Sequence, residues 1–397
     1  MKVALAYSGG LDTSIILHML QEDYDADVIT VAGLVGQDLE KVERIEKKAL
    51  DLGAIEHYGI DIKEPFIKDY IYPSIKANGN YEGYPLSTAL ARYPVAEKLV
   101  EIAEEEDCDA VAHGCTGKGN DQFRFDTTIS LKSPEMKIIA PVREKNLDRK
   151  WEIQYAKDND IPVPVDVNEP YSVDENIWGR SIEGGDLEEP ANEPPEEIYD
   201  MTQNPSEAPN EPRYIELEFE QGVPISLNGN ERETYSLIGE LNEKVGEYGV
   251  GRIDIIENRT LGLKSRENYE APAALVILKA HKALEELVLT KGELTHKQQV
   301  DSLWADLVYR GLWFDPLRED LDAFINKTQE RVSGTVKVKL EPGSARVVSR
   351  KSPNSLHEPE LVSFEDYGFD QRESTGAIKF QSLQGKSYRK KKDDGDA

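Results

Sequence analysis

The 397-residue sequence predicts an α/β fold with a parallel sheet over residues 1–168, an α+β domain over 169–359 and a C-terminal arm over 360–397. Three observations carry that expectation. Short apolar runs alternate with amphipathic segments through the first 160 residues, as a parallel sheet covered on both faces requires. The alternation stops in a stretch rich in Gly, Pro, Glu and Asn at 183–213. Beyond it, strand-like runs are joined by tight turns, and no internal repeat is visible.

Residues 2–7 read as a short buried strand, and Leu11, Ile15, Ile16, Met19 and Leu20 share one face of a helix over 11–21. A strand at 27–31, a helix at 39–52, a strand at 54–60, a helix at 94–106 and strands at 109–113 and 137–140 repeat the unit. A helix at 149–158 and the proline-rich Ile161-Pro162-Val163-Pro164 close it. Residues 183–213 form a long surface excursion. Strands follow at 214–220 and 224–227, the second ending at Asn228-Gly229, and at 253–256, with helices at 271–290 and 297–310. Strands at 334–340 and 345–349 flank the turn Glu341-Pro342-Gly343-Ser344. In the arm, Leu361-Val362-Ser363-Phe364 and Gly376-Ala377-Ile378-Lys379-Phe380 are apolar enough to need burial, while the last dozen residues are expected to be disordered.

Charge narrows the function. Forty-seven Lys and Arg stand against 76 Asp and Glu, a net charge of −29. Broad phosphate-backbone binding needs a basic face, so a nucleic-acid partner is not expected. Acid excess of this size also marks proteins of salt-loaded cytoplasms, where counterions screen self-repulsion; plain acidity is the alternative. Cys108 and Cys115 are too few for a disulfide framework or a four-cysteine zinc site, and the six histidines are scattered, which suits a reducing cytoplasm. No run approaches 18 apolar residues, and the apolar N-terminal run is too short for a secretory signal, so no membrane role is expected.

Two polar glycine loops leave the ends of predicted parallel strands, where doubly wound sheets bind ligands. In Ser8-Gly9-Gly10-Leu11-Asp12-Thr13-Ser14, glycines let the backbone approach an anion, helix N-terminal N–H groups point at it and hydroxyls add donors. A tight turn with Ser8 as cap and Asp12 on the helix dipole would use the same residues. Neither a Walker A loop nor a dinucleotide fingerprint is present. The second loop, running from His113 to Phe125, has three glycines with Thr116, Asn120, Asp121 and Arg124, partners for both ends of a small zwitterion. A solvated loop with Arg124 in a surface ion pair is the alternative.

The first loop resembles the SGGxDS loop of the N-type ATP pyrophosphatase (PP-loop) superfamily, whose members cut ATP between the α- and β-phosphates. The second, HGCTGKGNDQFRF, is similar to HGATGKGNDQVRF of the argininosuccinate synthases. In that family's order follow Tyr81-Glu82-Gly83-Tyr84, the segment from Tyr171 to Ser181, Glu257-Asn258-Arg259, Lys264-Ser265-Arg266 with Tyr269-Glu270-Ala271-Pro272, and Asp301-Ser302 with Leu307-Val308-Tyr309 and Gly311-Leu312-Trp313. The resemblance implies a nucleotide-binding domain of the PP-loop (adenine nucleotide α-hydrolase-like) type, a synthetase domain and an oligomerisation arm that builds a homotetramer. It implies a cytoplasmic carbon–nitrogen ligase joining L-citrulline and L-aspartate through citrullyl-AMP, with ATP as substrate and Mg2+ as cofactor. ATP would meet Ala6, Tyr7, Ser8, Gly9, Gly10, Leu11, Asp12, Thr13, Ser14, Gly33 and Gly114, with Ser8 and Asp12 as catalytic residues and Asp12 also holding the metal. Aspartate would meet Thr116, Asn120 and Asp121. Citrulline would meet Tyr84, Asn120, Arg124, Ser172, Ser181, Glu257 and Tyr269.

Two departures stand out. Where the family reads T-A-D-[IV]-G-Q, this chain has Ala32-Gly33-Leu34-Val35-Gly36-Gln37, without the carboxylate. Where it reads T-S-I-A-R-P, this chain has Thr88-Ala89-Leu90-Ala91-Arg92-Tyr93-Pro94, so a citrulline-side hydroxyl is absent unless Ser87 or Thr88 substitutes. Two rivals remain on this reading. A tRNA-modifying PP-loop enzyme would want a basic groove and paired catalytic cysteines, and a non-catalytic ATP-binding regulator would have no use for the second loop.

Overall fold

A computed structural model describes residues 1–36, 39–162, 171–363, 365, 368 and 370–395, without the side chains of 39–41. The chain divides into a compact unit, Met1–Asn354, and a small one, Ser355–Ala397.

Within the first unit, five parallel strands lie in the order Glu56–Asp61, Asp27–Leu34, Lys2–Ala6, Ala110–Ala112 and Lys137–Ile139. Val3, Leu5, Val28, Ala110 and Ala112 face one apolar layer, and Ala4, Ile29, Val31 and Val111 face the other. With both faces covered, the interiors of the three central strands are almost wholly apolar, while edge strand Glu56–Asp61 is partly exposed and keeps Glu56, His57 and Asp61. Strand order reverses between Lys2–Ala6 and Ala110–Ala112, so the loops after these two strands open into one crevice.

A four-stranded antiparallel sheet follows in the order Arg252–Asn258, Lys264–Glu270, Gly179–Gly184 and Tyr171–Asn176, and a five-stranded one in the order Asn230–Glu231, Val223–Leu227, Arg213–Glu220, Gly334–Glu341 and Ser344–Lys351. Helix Pro272–Val288 is buried along most of its length and packs against helix Thr234–Gly246 and strands Gly334–Glu341 and Ser344–Lys351. The largest apolar cluster joins Phe66, Tyr70 and Tyr93 to Trp178, Leu237, Ile277, Trp304 and Val338. Each such side chain, fully withdrawn from water, contributes roughly 2–3 kcal/mol before entropy is charged.

The structure moves several expected boundaries. The helix expected at 94–106 begins at Thr88 and carries Pro94 in its interior. Proline favours a first-turn position, but burial of Leu90, Ala91 and Tyr93 outweighs its interior penalty of about 3 kcal/mol. The second glycine loop is a helix, Asp121–Lys132, from its ninth residue onward. Residues 171–184 form a hairpin, and helices Thr234–Gly246 and Pro316–Gln329 join those the sequence predicts. Within the end segment expected to be disordered, Leu383–Asp393 is helical, with Lys390, Lys391 and Lys392 in its last turn, where cations suit the helix dipole, and residues 396–397 lie outside the described residues. Among the described residues no helix is long and apolar enough to cross a membrane.

Candidate active site

The crevice floor is the first glycine loop. Gly9 has φ +76°, a conformation natural to glycine, and a Cβ there would stand 3.2 Å from Ile45 Cγ1. Helix Leu11–Tyr24 starts at Gly10 without a side-chain cap, leaving its first N–H groups to an anion. The Ser8-cap alternative is therefore not realised: Ser8 Oγ accepts from Gly10 N at 3.4 Å and lies 3.3 Å from Thr13 Oγ1. Ser14 turns inward, donating to Gly10 O at 2.7 Å, with the Tyr7 hydroxyl 3.4 Å away. Tyr7 and Ala6 are buried beneath the loop.

Two further residues complete the floor, and no sequence motif announces them. Lys48 Nζ donates to Gly9 O at 2.6 Å, tying the loop to helix Leu39–Asp51. Glu152, on helix Arg149–Asp158, is buried beside Asp12. Burial raises the Asp12 carboxyl, partly offset by Arg149. Burial and the Asp12 charge push Glu152 up to about 7. Two carboxylates crowded at an anion-binding helix N-terminus form a donor set that suits Mg2+ completed by phosphate oxygens and water. Among the described residues no group of three or more His, Cys, Asp or Glu could cage a metal without such help.

The second loop touches the first. A Cβ on Gly114 would lie 2.9 Å from Ile16 Cδ1 and 3.6 Å from Asp12 Cβ, so a side chain there would press on the first turns of helix Leu11–Tyr24. Buried His113 holds the loop's base: Cys115 N donates to its Nδ1 at 3.2 Å, leaving Nε2–H for Asp126 Oδ1 at 2.7 Å. Gly119 N donates to Thr116 Oγ1 at 3.3 Å. At the start of helix Asp121–Lys132, Asp121 sits between Arg92 Nε at 2.8 Å and Arg124 Nη1 at 2.6 Å. Although burial works against ionisation, the two guanidiniums hold its carboxyl at about 2. Arg92 also pairs with Asp174 of the hairpin. Gly33, at the end of its strand, packs its bare Cα against Val95 and Ile62.

Arg124 is only 5% exposed, which removes the surface-ion-pair alternative. Its Nε and Nη2 donate to Tyr309 O at 3.2 and 2.8 Å. The Tyr309 hydroxyl accepts from Asn120 Nδ2 at 2.7 Å and donates to Glu257 Oε1 at 2.6 Å. Glu257 Oε2 accepts from the Tyr269 hydroxyl at 3.0 Å, and Tyr269 stacks on Tyr84 with centroids 4.0 Å apart. Five residues expected to share a ligand, Tyr84, Asn120, Arg124, Glu257 and Tyr269, are thus one cluster. Ser181 lies opposite Tyr269 in the adjacent strand. Ser172 is exposed on the edge strand opposite Glu183, and among the described residues no hydrogen bond ties it to the cluster. Ala89 is buried, as is Ser87, whose Oγ has no partner among the described residues.

Residues 2–162 match the model of the arginosuccinate synthase N-terminal HUP domain, and 171–388 that of the arginosuccinate synthase C-terminal domain. Argininosuccinate synthase of Methanocaldococcus jannaschii is 59% identical over 98% of both chains. That of Methanococcus maripaludis is 55% identical over 97% of both, and that of Methanopyrus kandleri 56% identical over 96% of this chain and 97% of its own. Among solved structures, NH3-dependent NAD synthetase from Campylobacter jejuni covers 40% of this chain and 64% of its own, at 17% identity and a TM-score of 0.28, too slight a likeness to bear on function. With both domain models matched in order and relatives alike from end to end, the chain belongs to the argininosuccinate synthase family of carbon–nitrogen ligases.

Proposed function

We propose that the chain condenses L-citrulline with L-aspartate in arginine biosynthesis, spending ATP and releasing AMP and pyrophosphate. The observation that carries this reading is that Glu257 and Tyr269, on strands of the antiparallel sheet, join Asn120 and Arg124 in one hydrogen-bonded cluster at the end of the loop that packs against the first helix at Gly114. Backbone N–H groups at Gly10 to Asp12 and the Ser8 and Thr13 hydroxyls grip the phosphates that leave, stabilising charge as it develops. Asp12, with Glu152 beside it, would hold Mg2+, which supplies further charge neutralisation on those phosphates when bound. Arg124 offers two N–H groups not spent on Asp121 or Tyr309 to the citrulline carboxylate, and Glu257 meets the citrulline ammonium. Thr116, Asn120 and Asp121 receive aspartate, whose ammonium suits an ionised Asp121. Gly33 would offer backbone groups to adenine.

In the first step the citrulline ureido oxygen attacks the α-phosphorus, the bond from that phosphorus to the bridging β-oxygen breaks, and pyrophosphate leaves. In the second, the aspartate ammonium first gives up a proton to solvent, the free amine attacks the activated ureido carbon, the carbon–oxygen bond to AMP breaks, and the new nitrogen releases a second proton to solvent. Holding both reactants in one crevice supplies the orientation that makes each step effectively unimolecular. Ureido-18O citrulline tests the scheme. The label is expected in AMP, and label in pyrophosphate or water would overturn it.

The same reading makes the enzyme cytoplasmic and homotetrameric. Leu361, Val362, Ile378 and Phe380 are all exposed in the small C-terminal unit, apolar surface suited to covering by another copy. Truncation after Asn354 is expected to give a smaller species in light scattering.

A further inference from the structure

We infer that Tyr309, which the reading above leaves without a role, is the positioning residue of the citrulline subsite. The inference rests on that reading of Asn120, Arg124 and Glu257. Tyr309 closes helix Lys291–Tyr309, and its buried ring packs against one ring and one guanidinium: it stacks on Tyr81 at 3.7 Å between centroids, and the Arg124 guanidinium lies 5.3 Å from its centre. The helix and the stack fix the ring. Among the described residues, its hydroxyl and its carbonyl then bond only to site residues.

The hydroxyl sets hydrogen-bond polarity. It accepts from Asn120 Nδ2, so its own proton goes to Glu257 Oε1. Asn120 Oδ1 accepts from Thr260 N at 3.0 Å, so a flipped amide would oppose donor to donor there. Asn120 is thereby left one free N–H and one free oxygen lone pair, each with a fixed direction. Glu257 is gripped on both oxygens, by Tyr309 on one and Tyr269 on the other, and its plane is set. The Tyr309 carbonyl meanwhile takes two of the five Arg124 donors, and Asp121 a third, which aims the remaining two. One residue therefore orients the amide, the carboxylate and the guanidinium that would together recognise a neutral ureido amino acid. Preorganisation of this kind appears as affinity, because the orientation is not bought again on binding.

The test is Tyr309→Phe, which keeps ring, stack and backbone carbonyl and removes only the hydroxyl. Steady-state kinetics are expected to show the citrulline KM raised about tenfold, with the ATP KM and saturated kcat within about threefold. Glu257→Gln is run beside it. Because Tyr309 acts partly through Glu257, the double variant is expected to fall short of the product of the two single effects. An unchanged citrulline KM in Tyr309→Phe alongside a raised one in Glu257→Gln would overturn the role of Tyr309 while leaving the site reading intact. An unchanged citrulline KM in Glu257→Gln would overturn the site reading, and this inference with it. Equal rises in the ATP and citrulline KM values, fully multiplicative effects, or a Tyr309→Phe chain that no longer folds would make the hydroxyl a fold element and overturn its positioning role.

Discussion

Asp12 and Glu152 show how one residue's chemistry depends on another far off in sequence. The ordinary value for Glu152 is 4.5, and in the fold burial and Asp12 push it up to about 7. The native state therefore holds a proton that the unfolded chain has released between about pH 4.5 and 7, so stability is fully present at the acid end and lost as pH rises through 7. Glu152→Gln, which stays neutral, is expected to raise the melting temperature of the ATP-free protein at pH 8, reflecting on the order of 2 kcal/mol, and to match the parent near pH 4.5. A difference independent of pH would show that the carboxyl does not titrate in this way. Arg124→Lys is expected to weaken citrulline binding more than tenfold, because a point ammonium cannot give three N–H groups to Tyr309 and Asp121 in one plane and still face a carboxylate. Isothermal titration measures this directly, and unimpaired binding would remove Arg124 from the subsite. The contiguous site residues were legible because their spacing along the chain is itself the signal. Lys48 was not, lying 39 residues from Gly9, and Tyr309 stood out only as part of a motif, its role hidden because Asn120 is 189 residues away and only the folded chain brings the two together.

Elements were legible where apolar residues run together. The central parallel strands and helix Leu11–Tyr24, which buries Ile15, Ile16, Leu17, Met19 and Leu20, show that signal plainly, whereas helix Asp121–Lys132 buries Gln122, Arg124 and Thr128 along with Phe125 and Ile129, so polar residues interrupt its buried face. Its inward face is polar because it builds the site. The hairpin of Tyr171–Asn176 and Gly179–Gly184 is obscured differently: its outer strand is half solvated and rich in acids, and its position is held by Arg92 on Asp174 and by close approach at Gly179. A Cβ there would stand 3.0 Å from Glu270 O, 3.1 Å from Ser87 Cβ and 3.2 Å from Ala271 Cβ, none of them the free end of a flexible chain. Gly179→Ala is therefore expected to cost about 1–3 kcal/mol, as overpacking does, and to raise the citrulline KM by shifting Ser181 against Tyr269. Calorimetry reads the first effect and kinetics the second; a variant of parental stability would mean that the hairpin gives way freely.

At the scale of the whole molecule the dominant quantity is charge. Residues 355–397 hold seven Lys and Arg against nine Asp and Glu, so 27 of the 29 net negative charges belong to residues 1–354. Ion pairs oppose that excess locally, and many are solvated at both ends, such as Lys327 with Glu330 at 2.7 Å and Arg310 with Asp306 at 3.0 Å. Exposed pairs of this kind contribute roughly 0–1 kcal/mol each. Salt acts on attraction and repulsion over different ranges. The Debye length falls from about 10 Å at 0.1 M to about 3 Å at 1 M, so repulsion between charges spread over the surface is quenched while partners in contact keep part of their attraction. The balance therefore favours the folded state in concentrated salt. The melting temperature is expected to be higher in 2 M than in 0.1 M potassium chloride, with the buried Lys297–Glu285 pair little affected because it lies out of reach of counterions. Scanning calorimetry across that range decides the matter: a flat or falling melting temperature would mean that the acid excess is already balanced within the fold and that salt only weakens its surface pairs.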